Sequence, residues 1–257
     1  MDLSEKIDTI SFTFYAAGDN ISLYYYFSLI KKRGDSVEGK IKPYLTVALP
    51  KGKLFAPAAE LLARVGLSAE GLEEKSRKLV ITNEADKVRF IIAKTADVPT
   101  YVEYGAADIG IIGKDVLKEA AQDVYELLDL EFGRCRLMMA VPRDKKRPRL
   151  ADYAHTRVAT KFPRIAESFF NRQGMQMEYI KLNGSIELGP IVGLAESIVD
   201  IVETGTTLRE NDLEEIAPIM DTTARLIANR VSFRLKFPRI HKLIEDLQAI
   251  LRKGQVV

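Results

Sequence analysis

"ADVPTYVEYGAADIGIIGKDVL", residues 96–117, decides the fold. Asp97 stands where a helix cap belongs, Pro99 suits the first helical turn, and Gly105 suits the stop. In the "DIGIIG" that follows, Ile109, Ile111 and Ile112 leave no polar alternation, which is the pattern of a strand buried on both faces. A helix feeding a doubly buried strand is the repeating unit of an α/β protein with largely parallel sheets.

Working outward, the same alternation recurs. Upstream, "LTVAL" (45–49) reads as a strand. Leu54, Ala58, Leu61, Leu62 and Val65 then share one helical face before Gly66. "KLVIT" (78–82) and "VRFIIAK" (88–94) flank "NEAD" and predict a hairpin. Downstream come a strand at 136–141, a charged loop "PRDKKRPR", a strand at 157–160 and a helix closed by Gly174. Next are a strand at "MEYIKL", a helix at "SIELGPIVGLAE" with Ser185 as its cap, and a buried strand at "SIVDIV". "RLIANRVSF" reads as β-like. Pro238 opens a helix with Ile240, Leu243, Ile244, Leu247, Ile250 and Leu251 on one face. Two βα series joined at Glu131–Val141 predict two lobes around a cleft.

Composition narrows the function classes. The chain has 257 residues with 38 basic against 36 acidic side chains, and this balance disfavours a nucleic-acid binder working by bulk charge. The single cysteine, Cys135, forbids an intrachain disulfide and suits a reducing cytoplasm; it reads as a small core residue. His155 and His241 lack metal-ligand spacing. The apolar run "ISLYYYFSLI" (21–30) is too short to span a bilayer, so no membrane anchor is expected, and residues 1–44 read as an extension of unknown role.

The chemistry gathers at predicted strand ends. In "DIVETGTTLREN" (200–211), Gly205 lets the backbone turn so that successive amides converge, and Thr204, Thr206 and Thr207 add hydroxyls. A helix starting at Leu208 would add its positive end. Such a turn suits a phosphate monoester, although an ordinary strand–turn–helix connection has the same outline. Asp200 and Glu203 sit where carboxylates accept bonds from sugar hydroxyls, so phosphate and ribose together fit better than phosphate alone. "ALPKGKL" (48–54) places Lys51 and Lys53 about Gly52, a second anion-holding candidate. "EKSRKL" adds Arg77, able to grip phosphate through two parallel N–H bonds. Thr160 and Lys161 end another strand, and Glu187 is either solvent-facing or a sugar ligand.

Together these stretches resemble the ATP phosphoribosyltransferase family. The resemblance runs from about Leu45 to Phe237 through "ALPKGKL", "SRKL", the 96–117 stretch, "VYELLDL", "VATKFP", "RLIANRVSF" and, most specifically, "KLNGSIELGPIVGLAESIVDIVETGTTLREN". It implies transfer of the phosphoribosyl group of phosphoribosyl pyrophosphate to N1 of ATP with Mg²⁺, the opening step of histidine biosynthesis. It also implies an α/β, two-lobed periplasmic-binding-protein-like (type II) fold with mixed, mostly parallel sheets. One lobe would hold 45–135 and 223–257, the other 136–222. By resemblance the phosphoribosyl loop is Glu203, Thr204, Gly205, Thr206, Thr207 and Leu208, with Asp200, Glu187, Thr160 and Lys161 nearby. Lys53 and Arg77 face the leaving group, and Lys51 joins them around ATP and pyrophosphate. Where relatives carry Arg in the motif, this chain has Lys53, which loses a bidentate grip. The resemblance is to the short form, which implies a histidyl-tRNA-synthetase-like regulatory subunit and homodimers within a hetero-octamer. A solute-binding protein or ligand sensor of the same fold, and a weakened paralogue serving as an interaction subunit, are the alternative readings.

Overall fold

The computed structural model describes residues 44–254. Apart from Tyr44, the N-terminal extension, with its apolar 21–30 segment, lies outside the described residues. The chain runs through β1 (Leu45–Pro50), α1 (Phe55–Arg64), β2 (Val80–Asn83), β3 (Val88–Ala93), α2 (Val98–Glu103), β4 (Ile109–Gly113), α3 (Lys114–Ala120) and β5 (Tyr125–Asp129). It continues through β6 (Cys135–Pro142), β7 (Arg157–Thr160), α4 (Pro163–Arg172), β8 (Glu178–Lys181), α5 (Leu188–Ile191), β9 (Ser197–Val202), α6 (Thr206–Glu210) and β10 (Leu213–Thr222). β11 (Ala224–Ala228), α7 (Arg230–Leu235) and α8 (Phe237–Gly254) complete it.

The strands form two sheets, β2-β3-β1-β4-β11-β5 and β10-β6-β9-β7-β8. Each is covered on both faces, as the non-alternating strand sequences require. On one face of the first sheet, Leu45, Val47 and Leu49 of β1 pack with Phe55, Leu61 and Leu62 of α1 and Ile240, Leu243, Ile244 and Leu247 of α8. On the other, Ala48 and Ile112 meet Val98 and Val102 of α2 and Leu117 of α3. Gly110 permits this: a Cβ there would come 2.9 Å from Val102 Cγ2 and 3.0 Å from Val98 Cγ1, so α2 lies directly on β4. The second sheet packs α4 against Leu137, Met139 and Val199, and on its opposite face Ala140, Ile198 and Leu213 pack against Leu208 of α6.

The expected parallel majority does not hold. Among the described residues, β1–β3, β1–β4, β7–β8 and β7–β9 are parallel, while β2–β3, β4–β11, β5–β11, β6–β9 and β6–β10 are antiparallel. The cause is connectivity. The chain crosses between the sheets twice, out through β5 into β6 and back through β10 into β11. The outward and returning strands pair with each other in both sheets, and oppositely directed neighbours are necessarily antiparallel.

Four local readings also change. "SIELGPIVGLAE" forms only the single turn α5, because Gly189, Pro190 and Gly193 cannot sustain a helix. Ser185 does not cap it; Ser185 is left-handed (φ 48°), and the residue at the cap position is Glu187. Asp97 precedes α2 without bonding its amides through its side chain. "RLIANRVSF" is a strand only to Ala228, because Asn229 caps α7: its Oδ1 accepts from Val231 N (3.0 Å) and Ser232 N (2.9 Å).

Candidate active site

The carboxyl ends of β1 and β9 face each other between the two sheets, the place where α/β proteins bind ligands. After β1, Lys51 N donates to Ala93 O (2.8 Å) and Gly52 N to Glu74 Oε1 (2.8 Å), so the Lys51–Lys53 turn is fixed from both sides while its side chains stay exposed. After β9, Gly205 adopts φ 72°, and helix α6 begins at Thr206. A short helix of this kind leaves its first amides without intrahelical acceptors. Leu208 is buried and anchors α6, whereas Glu203, Thr204, Thr206 and Thr207 are exposed.

One contact spans the gap. Lys53 Nζ donates to Glu203 Oε1 (2.9 Å) and Oε2 (2.8 Å), joining residues 150 positions apart. The lysine side chain is 81% exposed, so the pair is worth at most about 1 kcal/mol and yields readily to a stronger anion.

Behind the turn, burial pushes the Asp200 carboxyl up to about 6; the Glu187 carboxylate adds to the rise and Lys161 opposes it. Asp200 Oδ1 accepts from Ile201 N at 2.8 Å. Asp200, Glu187 and Lys161 thus share one electrostatic neighbourhood. Thr160 is a correction: it is fully buried, donating to Val199 O (2.6 Å) and accepting from Phe162 N (2.9 Å), so its hydroxyl fastens the strand end and is spent.

Arg77 is exposed on the loop before β2, lining a shallow hollow with Lys75, Lys78 and Thr82. Its loop is tied to the Lys51–Lys53 turn through Glu74, but the guanidinium is not brought onto Glu203 or Asp200. Cys135 begins β6 near these groups. Burial, with help from Asp115 and Glu203, pushes its thiol up to about 11, which favours the neutral form over the reactive thiolate.

Arg209 went unnoticed in the sequence. It reaches back from α6, donating from Nη1 to Thr204 O (3.0 Å) and from Nη2 to Thr206 Oγ1 (3.0 Å). Its spacing of three from Thr206 on a helix was the available signal. Glu215, held by Arg136 Nη2 (3.3 Å), approaches the same turn from β10, and no local pattern announces that.

Comparison with known proteins identifies the family. Residues 94–249 match the HisG family, described as ATP phosphoribosyltransferase. The ATP phosphoribosyltransferase of Desulfitobacterium hafniense (strain Y51) is 56% identical over 218 residues, covering 82% of this chain and 98% of its own. That of Moorella thermoacetica is 52% identical over 215 residues, covering 82% and 94%. The ATP phosphoribosyl transferase (HisG:HisZ) complex from Thermotoga maritima matches at 32% identity with TM-score 0.69 over 81% of this chain and 99% of that one. Tv2483 bound to L-arginine, 13% identical with TM-score 0.57 over 85% and 89% of the two chains, shares the two-lobed periplasmic-binding fold alone. With the family match covering more than half its length and close relatives spanned almost end to end, the chain belongs to the ATP phosphoribosyltransferase family.

Proposed function

We propose that the family's reaction takes place in the cleft between the Lys51–Lys53 turn and the Glu203–Leu208 turn. In that reaction N1 of ATP's adenine attacks the anomeric carbon of phosphoribosyl pyrophosphate, the bond from that carbon to the pyrophosphate oxygen breaks, and N1-phosphoribosyl-ATP and pyrophosphate result. This is the first step of histidine biosynthesis. The observation that carries the placement is the contact between Lys53 and Glu203 across the cleft, which sets a cation 2.8 Å from the first residue of the phosphate-seating turn.

The 5′-phosphate sits on Glu203, Thr204, Gly205, Thr206, Thr207 and Leu208, accepting from backbone amides and threonine hydroxyls. Asp200, with Glu187 beside it, accepts from the ribose hydroxyls, and Lys161 balances their charge. Lys51, Lys53 and Arg77 attract the pyrophosphate and the ATP phosphates. Adenine N1 already carries a lone pair, so no general base is required. Rate enhancement comes from aligning two anions and stabilising the charge that leaves. Mg²⁺, held mainly by the substrate phosphates, would supply further neutralisation of the pyrophosphate; among the described residues no group of three or more His, Cys, Asp or Glu side chains could hold the ion by itself.

The solved Thermotoga maritima relative is a HisG:HisZ complex. That likeness supports a regulatory partner of the HisZ kind; we propose that this partner resembles histidyl-tRNA synthetase and joins homodimers of this chain in a hetero-octamer. Among the described residues no helix is long and apolar enough to cross a membrane. We place the enzyme in the cytoplasm, where its nucleotide substrates are.

Mixing the protein with ATP, phosphoribosyl pyrophosphate and Mg²⁺, with the regulatory subunit present, is expected to release pyrophosphate and raise the absorbance of N1-substituted ATP. A binding protein of this fold would release none. Arg77→Ala is expected to lower turnover by about 10²-fold, as for loss of one charge-stabilising donor; wild-type turnover in that variant removes Arg77 from the site.

A further inference from the structure

We propose that Arg209 is a positioning residue of the phosphoribosyl turn: bonded to Thr204 O and Thr206 Oγ1, its guanidinium braces the turn and leaves the threonine pair with a hydrogen to offer. The inference rests on the reading of Glu203–Leu208 as the seat of the 5′-phosphate.

The direction of the hydrogen bonds carries the argument. A guanidinium has donors and no acceptor, so Arg209 Nη2 fixes Thr206 Oγ1 as the acceptor of that bond (3.0 Å). The hydrogen of Thr206 must then go elsewhere. Thr204 Oγ1 lies 3.0 Å away, and Thr206 N also points to it at 3.4 Å. Either hydroxyl of this pair can donate to the other, and in both arrangements one hydrogen is spent between them and one is left to offer. Arg209, which only donates, occupies a lone pair of Thr206 and so favours presenting that remaining hydrogen outward. A phosphate dianion, which only accepts, meets a hydroxyl already arranged to give. Without Arg209 the same hydroxyls are free to rotate and to present lone pairs.

The second bond, from Nη1 to Thr204 O, pins the backbone carbonyl just before Gly205. The clasp passes close over the glycine: a Cβ at position 205 would lie 3.1 Å from Arg209 Nη1 and 3.1 Å from Glu215 Oε1. Gly205 is thus needed for its left-handed φ of 72° and also to let this strut close over the turn. Glu215, itself held by Arg136 Nη2, stands on the same spot as a counter-charge.

The test uses the full chain with its regulatory subunit, as wild type, Arg209→Ala, Arg209→Lys, Thr206→Ala and Arg209→Ala/Thr206→Ala. Calorimetric titration with phosphoribosyl pyrophosphate, steady-state KM for both substrates and melting temperature are measured. Arg209→Ala is expected to weaken phosphoribosyl pyrophosphate binding by about tenfold, the scale of one charge-assisted hydrogen bond, while KM for ATP moves by less than about twofold. Arg209→Lys keeps the charge but replaces the planar fork with a point donor, and should regain only part of the loss. In the Thr206→Ala background the Arg209 change should cost less than it does alone.

Unchanged affinity in Arg209→Ala overturns the proposal. So does full rescue by lysine, which would assign the effect to charge, and so does a parallel rise of both KM values with a falling melting temperature, which would mean general loosening. A wild-type chain that binds no phosphoribosyl pyrophosphate sinks the seat and this inference together, whereas wild-type binding with an indifferent Arg209 sinks the inference alone.

Discussion

Asp200 illustrates how one buried carboxyl links stability to substrate. Burial, reinforced by Glu187, pushes it up to about 6 from its ordinary value of 3.8. Below about pH 4 both folded and unfolded chains hold the proton, and there is no penalty. Between about pH 4 and 6 the unfolded chain loses its proton first, so stability falls as pH rises, and the full cost applies above about pH 6. Asp200→Asn is therefore expected to stabilise the protein by about 2 kcal/mol at pH 8 and by nothing at pH 3.5, read from urea melts. Binding runs the other way. In the proposed site sugar hydroxyls would donate to the ionised form, so the affinity of the wild type for phosphoribosyl pyrophosphate should drop as pH falls through 6. Asp200→Asn should bind more weakly at every pH and lack that inflection; an unaltered inflection would mean that another group produces it.

At the scale of elements, Asn229 does the work of four hydrogen bonds. Its Oδ1 caps α7 through Val231 N and Ser232 N, while its Nδ2 donates to Val102 O (2.9 Å) and Glu103 O (2.9 Å) at the end of α2. The residue is 8% exposed, so an alanine leaves those groups with little access to water. Asn229→Ala should cost about 2–3 kcal/mol, combining a lost cap with unsatisfied carbonyls. Asn229→Asp keeps the cap but not the donors, and should fall in between; equal losses in the two variants would make the cap irrelevant.

The same element shows what could be read from sequence. The doubly buried strands, the α1 and α8 faces and the turn after β9 were legible because each depends on residues adjacent in the chain. The strand-to-helix switch at Asn229 was missed because "VSF" favours a strand locally while the cap wins. The brief α5 was overcalled because its apolar spacing outweighed Gly189 and Pro190 in the reading. Thr160 looked like a ligand because its place at a strand end was visible and the Val199 carbonyl beside it was not. Arg209 and Glu215 escaped because their role comes from the folded turn.

For the whole molecule, among the described residues, polar contacts at two places tie the sheets beyond their crossing strands. Lys53 meets Glu203 at the cleft. At α4, whose preceding residue Phe162 offers no side-chain cap, Glu119 of α3 accepts from Arg164 N (3.2 Å) and Ile165 N (3.1 Å). One lobe therefore caps a helix of the other, with Val116 packed against the apolar cores of both. Glu119→Ala is expected to lower the melting temperature by about 3 °C and to speed amide exchange at the start of α4. Unchanged exchange there would show that the amides find water at no cost.

The returning strand has a consequence for how the chain is made. β11 lies between β4 and β5 although 94 residues separate Asp129 from Ala224, and α8 fills the same lobe's interior from the far end of the described residues. A nascent polypeptide emerging from the ribosome thus holds two unmatched strand edges open until nearly everything else has been synthesised. The lobe begun first is the lobe finished last, and a stop between residues 129 and 224 would leave it as an adhesive half-sheet.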